Sequence, residues 1–163
     1  MKNDISAIGN ALVDTVFKVE HNLITELGLE IDQMTLSSAE EHAPIIERLI
    51  ASGADTVSDC GGSATNSLVA AASYGAKCFH VCKVSNDEDG KRYLKSLKEA
   101  GVGHKGNKAS ADSLPTGKCL ILVTPDAKRT MTTALNVSSL MDESDLDLDQ
   151  IANSKIFYIE GYM

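Results

Sequence analysis

Apolar residues recur along this chain in two rhythms, one extended and one helical. Ile5 to Gly9 predicts a short strand running into a Gly9-Asn10 turn, and Val13, Val16, Phe17 and Val19 predict a second. Lys77 to Val84 (Lys-Cys-Phe-His-Val-Cys-Lys-Val) and Lys155 to Ile159 read the same way. Helical spacing covers His21 to Leu27 and Ser37 to Ile50, the latter with Ser37 or Ser38 as cap, Glu40 and Glu41 in the first turn, and Ile45, Ile46, Leu49 and Ile50 on one face. Asp87 or Asn86 caps a helix from about Glu88 to Ala100, with Tyr93, Leu94 and Leu97 as its apolar positions and Gly101 as its stop. Strand and helix therefore alternate, which argues for an α/β fold with a mostly parallel sheet flanked by helices.

Two further patterns refine this outline. Lys118 to Thr124 and Arg129 to Thr133 predict a hairpin around Pro125-Asp126-Ala127-Lys128, with proline at the second turn position. Together with the strand near residues 14–20, the segment 117–133 is expected to form a small antiparallel layer, a β lid able to cover a cleft. Asp142-Glu143-Ser144 opens a short helix reaching about Asn153. The last strand is followed at once by the end of the chain, an odd finish for such a sheet, so the 163 residues are expected to be the N-terminal part of one domain rather than a whole enzyme.

Length and 43% apolar content fit one globular unit with a real core. Fifteen basic against 23 acidic residues give a net charge of −8, and the lysines are scattered, so neither a nucleic acid nor an anionic membrane is an expected partner. There is no apolar run of membrane-spanning length and no secretory pattern at the start, which points to the cytoplasm. Cys60, Cys78, Cys82 and Cys119 contain no Cys-x-x-Cys pair; Cys78 and Cys82 read as small buried hydrophobes, and no metal is assigned. His42, without ligand-spaced neighbours, reads as a solvated helix residue.

The stretch with the clearest chemistry is Cys60 to Gly75. Gly61 and Gly62 let the backbone approach a ligand, Ser63 is a candidate cap for the small-residue helix that follows, and Gly75 ends it. The first helical turn, with its free N–H groups and the Asn66 amide, faces whatever lies over the two glycines. Asp14 stands where the first strand has ended and the second begins, a common place for a ligand-facing side chain. Walker, zincin, Gly-x-Ser-x-Gly and dinucleotide fingerprints are absent from the sequence. Spacing alone leaves phosphate and a neutral polyol equally open, and with them an unrelated nucleotide-binding α/β domain.

Gly61-Gly62-Ser63-Ala64-Thr65-Asn66, Gly75, and Lys83-Val84-Ser85-Asn86-Asp87-Glu88-Asp89-Gly90 resemble the N-terminal signature of the ribokinase-like (PfkB) sugar and nucleoside kinases. Gly9 through Asp14, the Thr116–Thr133 hairpin and Tyr158-Ile159-Glu160-Gly161 follow in that family's order, and Asn10 through Asp14 is most similar to adenosine-kinase-like members. Ser85 departs from the pattern, which has glycine there. The resemblance implies a ribokinase-like sandwich with a lid, and transfer of phosphoryl from ATP, with Mg2+, to a hydroxymethyl group. It implies substrate contacts from Asp14, Gly61, Gly62, Asn66 and Glu160, and a lid contact to phosphate from Arg129. Asn136, just after the lid, either faces the cleft or turns the chain. The catalytic base belongs to a Gly-x-Gly-Asp segment of the missing C-terminal half, so none is expected in this chain, which alone would be inactive. The implied partner is a small sugar or nucleoside, with pairing of lid edges into a homodimer left open; the alternative is a non-catalytic sugar- or nucleoside-binding module.

Overall fold

The structure, a computed structural model, describes residues 3–108 and 114–162. Met1, Lys2 and Met163, at the ends of the segments above, lie outside the described residues. In chain order the elements are β1 Asn3–Ile8, β2 Leu12–Lys18, α1 His21–Glu26, β3 Met34–Leu36, α2 Ala39–Ala51, β4 Thr56–Gly61 and α3 Ser63–Ser73. Then come β5 Cys78–Val84, α4 Glu88–Glu99, β6 Val102–Lys108, β7 Gly117–Val123, β8 Arg129–Ala134, α5 Leu148–Ala152 and β9 Ser154–Ile159.

The first sheet has the order β6-β5-β1-β9, and every pairing in it is parallel. Alternation along β1 decides what each face meets. Ile5 and Ala7 turn toward α3 and α4, joining Ala64, Leu68, Cys78, Cys82, Val84, Tyr93, Leu97 and Val102 in one buried cluster. Ser6 turns the other way, where its hydroxyl meets Ser154 and Gln150 beside α5. Helices thus cover both faces, as a parallel sheet requires. Cys78 and Cys82 are 4% and 0% exposed, as small hydrophobes would be.

The second sheet is mixed and larger than the sequence indicates, with order β3-β8-β7-β2-β4. The hairpin β7-β8 is antiparallel, but β2 runs parallel to β7 and antiparallel to β4. One face of this sheet is closed by α1 and α2, where Phe17, Leu23, Ile24, Leu49, Leu120 and Leu122 make a second core. His42 belongs to this packing and not to solvent. It precedes Ile45, Ile46 and Leu49 by three, four and seven residues, so it shares their face; it is 3% exposed and its Nε2 lies 3.2 Å from Thr132 Oγ1. Burial lowers its pKa.

Local capping follows the sequence closely. Ser38 accepts from Glu41 N while Glu41 accepts from Ser38 N, a reciprocal capping box, and Asp87 caps α4 by accepting from Gly90 N. Ser85 is buried, donates its N–H to Thr116 Oγ1, and is not among the residues with positive φ, so the backbone there takes a side chain without glycine. The single helix expected over residues 142–153 is instead a 3-10 turn, Glu143–Asp145, followed by α5. Asp142 and Asp147 each cap a separate start, and Asp145 is drawn into an ion pair with Lys83 at 2.8 Å. Among the described residues no helix is long and apolar enough to cross a membrane.

Candidate functional site

β1 ends at Ile8 and the chain crosses through Gly9-Asn10-Ala11 to β2 in the other sheet; β4 returns along β2 and hands over to α3 through Gly61-Gly62. The two crossings touch. A Cβ on Gly62 would lie 2.4 Å from the Asn10 carbonyl oxygen, and Gly62 has φ 99°, so glycine is required here both for space and for backbone. Gly62, not Ser63, is the residue before the helix, and it makes no side-chain cap.

The cap is supplied from 96 and 97 residues away. Glu160 Oε2 accepts from Ser63 Oγ at 2.6 Å and from Ala64 N at 3.0 Å, while Oε1 accepts from Asn10 N at 2.7 Å and Asn10 Nδ2 at 2.9 Å. Glu160 is 5% exposed. Its carboxylate is therefore occupied by four internal donors from both crossings and holds the site's walls together. A carboxylate already filling the positive end of α3 also disfavours a phosphate over Gly61 and Gly62.

Asp14 is the contrasting carboxylate. It lies on β2 two residue pairs from Gly61, on the same face, and a Cβ on Gly61 would sit 2.1 Å from Asp14 Cγ, so the carboxylate rests directly on the glycine backbone. Among the described residues no group donates a hydrogen bond to it. Burial raises its pKa to about 6, the Arg129 charge pulls it down, and Asp59, opposite on β4, pushes it up. A half-buried carboxylate without donors is an acceptor in want of hydrogens.

The sign of that shift sets a measurable pH dependence. Because the folded pKa, about 6, exceeds the ordinary 3.8, the fold holds the Asp14 proton longer than the unfolded chain does. The associated stability is fully present below about pH 4 and is lost as pH rises through 6. Asp14→Asn is expected to be more stable than wild type at pH 7 by about 1–2 kcal/mol, allowing for solvent screening, and the gap should close toward pH 4. Denaturant unfolding of both proteins at the two pH values checks this.

The other anticipated residues are spread around Asp14. Asn66 is exposed on the first turn of α3, its backbone N–H bonded to Gly62 O at 2.9 Å. Arg129 is exposed at the start of β8, with its charge felt at Asp14. Asn136 turns the chain: φ is 49° and its amide donates to Thr116 O at 3.1 Å. Cys119 pairs with Asp14 across β7 and Cys60 with the preceding Val13 across β4, and burial pushes both thiols up to about 11. Asn10, buried with its amide on Glu160 and Tyr162 O, escaped sequence reasoning; the Gly-Asn dipeptide signals a turn and says nothing of a contact 150 residues away.

The model of the family described as pfkB family carbohydrate kinase matches residues 30–163. Mouse ribokinase is 30% identical over 86 residues, which is 53% of this chain and 26% of that protein. The crystal structure of adenosine kinase from Sinorhizobium meliloti superposes with TM-score 0.91 at 30% identity, over 99% of this chain and 48% of its own. A probable sugar kinase from Rhizobium etli CFN 42 gives TM-score 0.90 at 27% identity, over 99% and 48%. The chain thus spans about half the length of these solved relatives.

Proposed function

Because the chain belongs to the pfkB family of carbohydrate kinases, we propose that it is the acceptor-binding half of an enzyme that phosphorylates the hydroxymethyl group of a nucleoside or sugar from ATP. The observation that carries this reading is the donor-free Asp14 carboxylate laid over Gly61 beside the first turn of α3. Two adjacent hydroxyls of a polyol satisfy its oxygens, the bare glycine backbone gives the ring room, and the Asn66 amide offers a further donor and acceptor. Glu160 and Asn10 keep the crossings in place, and Arg129 is the charge on hand for a transferred phosphate.

A nucleoside is favoured over a simple sugar. Asp14 pairs with Cys119, Cys119 with Thr133 and Thr133 with Leu36, so these side chains share one face of the second sheet. That face runs from a carboxylate to small and apolar groups, the gradient that a ribose with a flat base attached would meet. The similarity to an adenosine kinase supports the same choice.

ATP and Mg2+ belong to the proposed reaction, but the described residues do not fit them. No group of three or more His, Cys, Asp or Glu is placed among them to hold a metal ion, and Glu160 fills the helix end beside the glycines. The base and the phosphate-binding segments are assigned to the other half of the family fold. The free outer edge of β9, with Ile156, Phe157 and Ile159 at 57%, 42% and 57% exposure, supports such a half: parallel strands are ordinarily covered on both faces. We place the protein in the cytoplasm, in keeping with four free cysteines, and leave the outer edges of β3 and β4 as the surface for a lid-paired homodimer.

Coexpression with the C-terminal half of the Sinorhizobium meliloti adenosine kinase tests the proposal. A stable pair that phosphorylates adenosine with ATP is expected. A pair that binds adenosine without turnover favours the non-catalytic module, the reading that the half-length also permits; a pair inert toward a nucleoside and sugar panel overturns both.

A further inference from the structure

A row of buried polar groups runs beneath the first turn of α3. Tyr93 OH lies 2.6 Å from Thr65 Oγ1, Thr65 Oγ1 lies 3.2 Å from His80 Nε2, and His80 Nδ1 lies 3.4 Å from Ala7 O. All four residues are 0% exposed, and they come from four elements: α4, α3, β5 and β1. The chemistry of the end group sets the direction of the whole row. Ala7 O only accepts, so Nδ1 carries the imidazole proton and Nε2 is the acceptor. Thr65 must then donate to His80, which leaves its oxygen to accept from Tyr93. One tautomer and one hydroxyl orientation satisfy every group.

Burial lowers the His80 pKa to about 4, so the ring is neutral at physiological pH and the pattern is stable. An apolar side chain at position 80 would fill the space between Cys78 and Cys82 at no desolvation cost. What the histidine adds is direction: it holds a single residue of α3 in one rotation. Thr65 lies between Ala64, whose N–H is held by Glu160, and Asn66, whose N–H is held by Gly62 O. The turn is thus fixed from the front by Glu160 and from beneath by His80.

We propose that His80, acting through Thr65, is a positioning residue for the acceptor site: it sets the rotation of the first turn of α3 and so the bearing of Gly62 and Asn66 toward Asp14. The inference rests on the acceptor-site reading above only for its effect on ligand; its effect on the turn stands apart. Three readouts on the 163-residue chain test it. Long-range 1H–15N spectra are expected to show His80 as the Nδ1–H tautomer. Thr65→Val and His80→Phe are expected to speed amide exchange at Thr65 and Asn66 about tenfold, and to weaken adenosine binding by about as much, with the second half of α3 unchanged. Thr65→Ser restores the hydroxyl and should restore both. Leu49→Val, a core change in α2 within the other buried cluster, serves as the control that loosens the fold without touching the row.

An Nε2–H tautomer overturns the proposal, as does wild-type exchange in Thr65→Val, or a Leu49→Val control that reproduces the same local change. Wild-type protein that binds no adenosine overturns the acceptor reading instead, and the tautomer and exchange results still decide the positioning.

Discussion

Glu160→Ala is expected to lower stability by about 3–5 kcal/mol, a large share of the 5–15 kcal/mol by which such domains are folded. The substitution removes the acceptor of four hydrogen bonds and leaves Asn10 N and Ala64 N, both buried, without partners. Those donors belong to different crossings, so the loss is not local to one loop: β1, α3 and the end of β9 come apart together. Glu160→Gln keeps the shape and one acceptor oxygen, but turns an amide donor on one pair of donors, and should cost about 1–3 kcal/mol. Urea unfolding of the three proteins measures the series. A loss under about 0.5 kcal/mol in Glu160→Ala, the scale of an exposed side chain, would show that the carboxylate does not hold these crossings.

Gly61→Ala is expected to abolish acceptor binding while costing about 1–3 kcal/mol of stability. The added methyl would stand 2.1 Å from Asp14 Cγ and 2.2 Å from each of its oxygens, so the carboxylate must swing off the glycine. β4 and β2 are paired on both sides of this point, Leu12 with Gly61 and Asp14 with Asp59, so the backbone has little room to yield and the side chain moves instead. Stability falls modestly because Asp14 is only half-buried; binding falls fully because the oxygens leave their place. Calorimetric titration of adenosine beside urea unfolding separates the two effects. Retained binding with unchanged stability would mean that the contact between carboxylate and glycine is incidental.

What could be read from sequence depended on how local its physical cause was. Ser38 with Glu41, and Asp87 with Gly90, are contacts within one helical turn, and both caps were legible as residue types at fixed offsets. Asp14 was legible as an acid near the start of the second strand, which the apolar pattern on either side of it predicts; it is the third residue of β2. β4 was not: Thr-Val-Ser-Asp-Cys-Gly is polar and exposed, and it is a strand because β2 pairs with it. β6, with Gly103 and Gly106, likewise becomes a strand through β5. His42 was misplaced because a histidine on a helix carries no sign of its own; the apolar residues three, four and seven positions on carry it. Glu160 was found as a strand-end acid, but its partners Asn10, Ser63 and Ala64 lie 150, 97 and 96 residues from it, and no local pattern announces bonds over such separations.

Isothermal titration of adenosine into the 163-residue chain and its Asp14→Asn variant, at pH 7.5 where the carboxylate is charged, tests the central claim most directly. The expected result is a single site in the wild type and at least a roughly tenfold weaker one in the variant, the loss of about 1.4 kcal/mol or more of hydroxyl recognition. Equal affinity in the two proteins would contradict the account, since it would put the acceptor somewhere other than over Gly61.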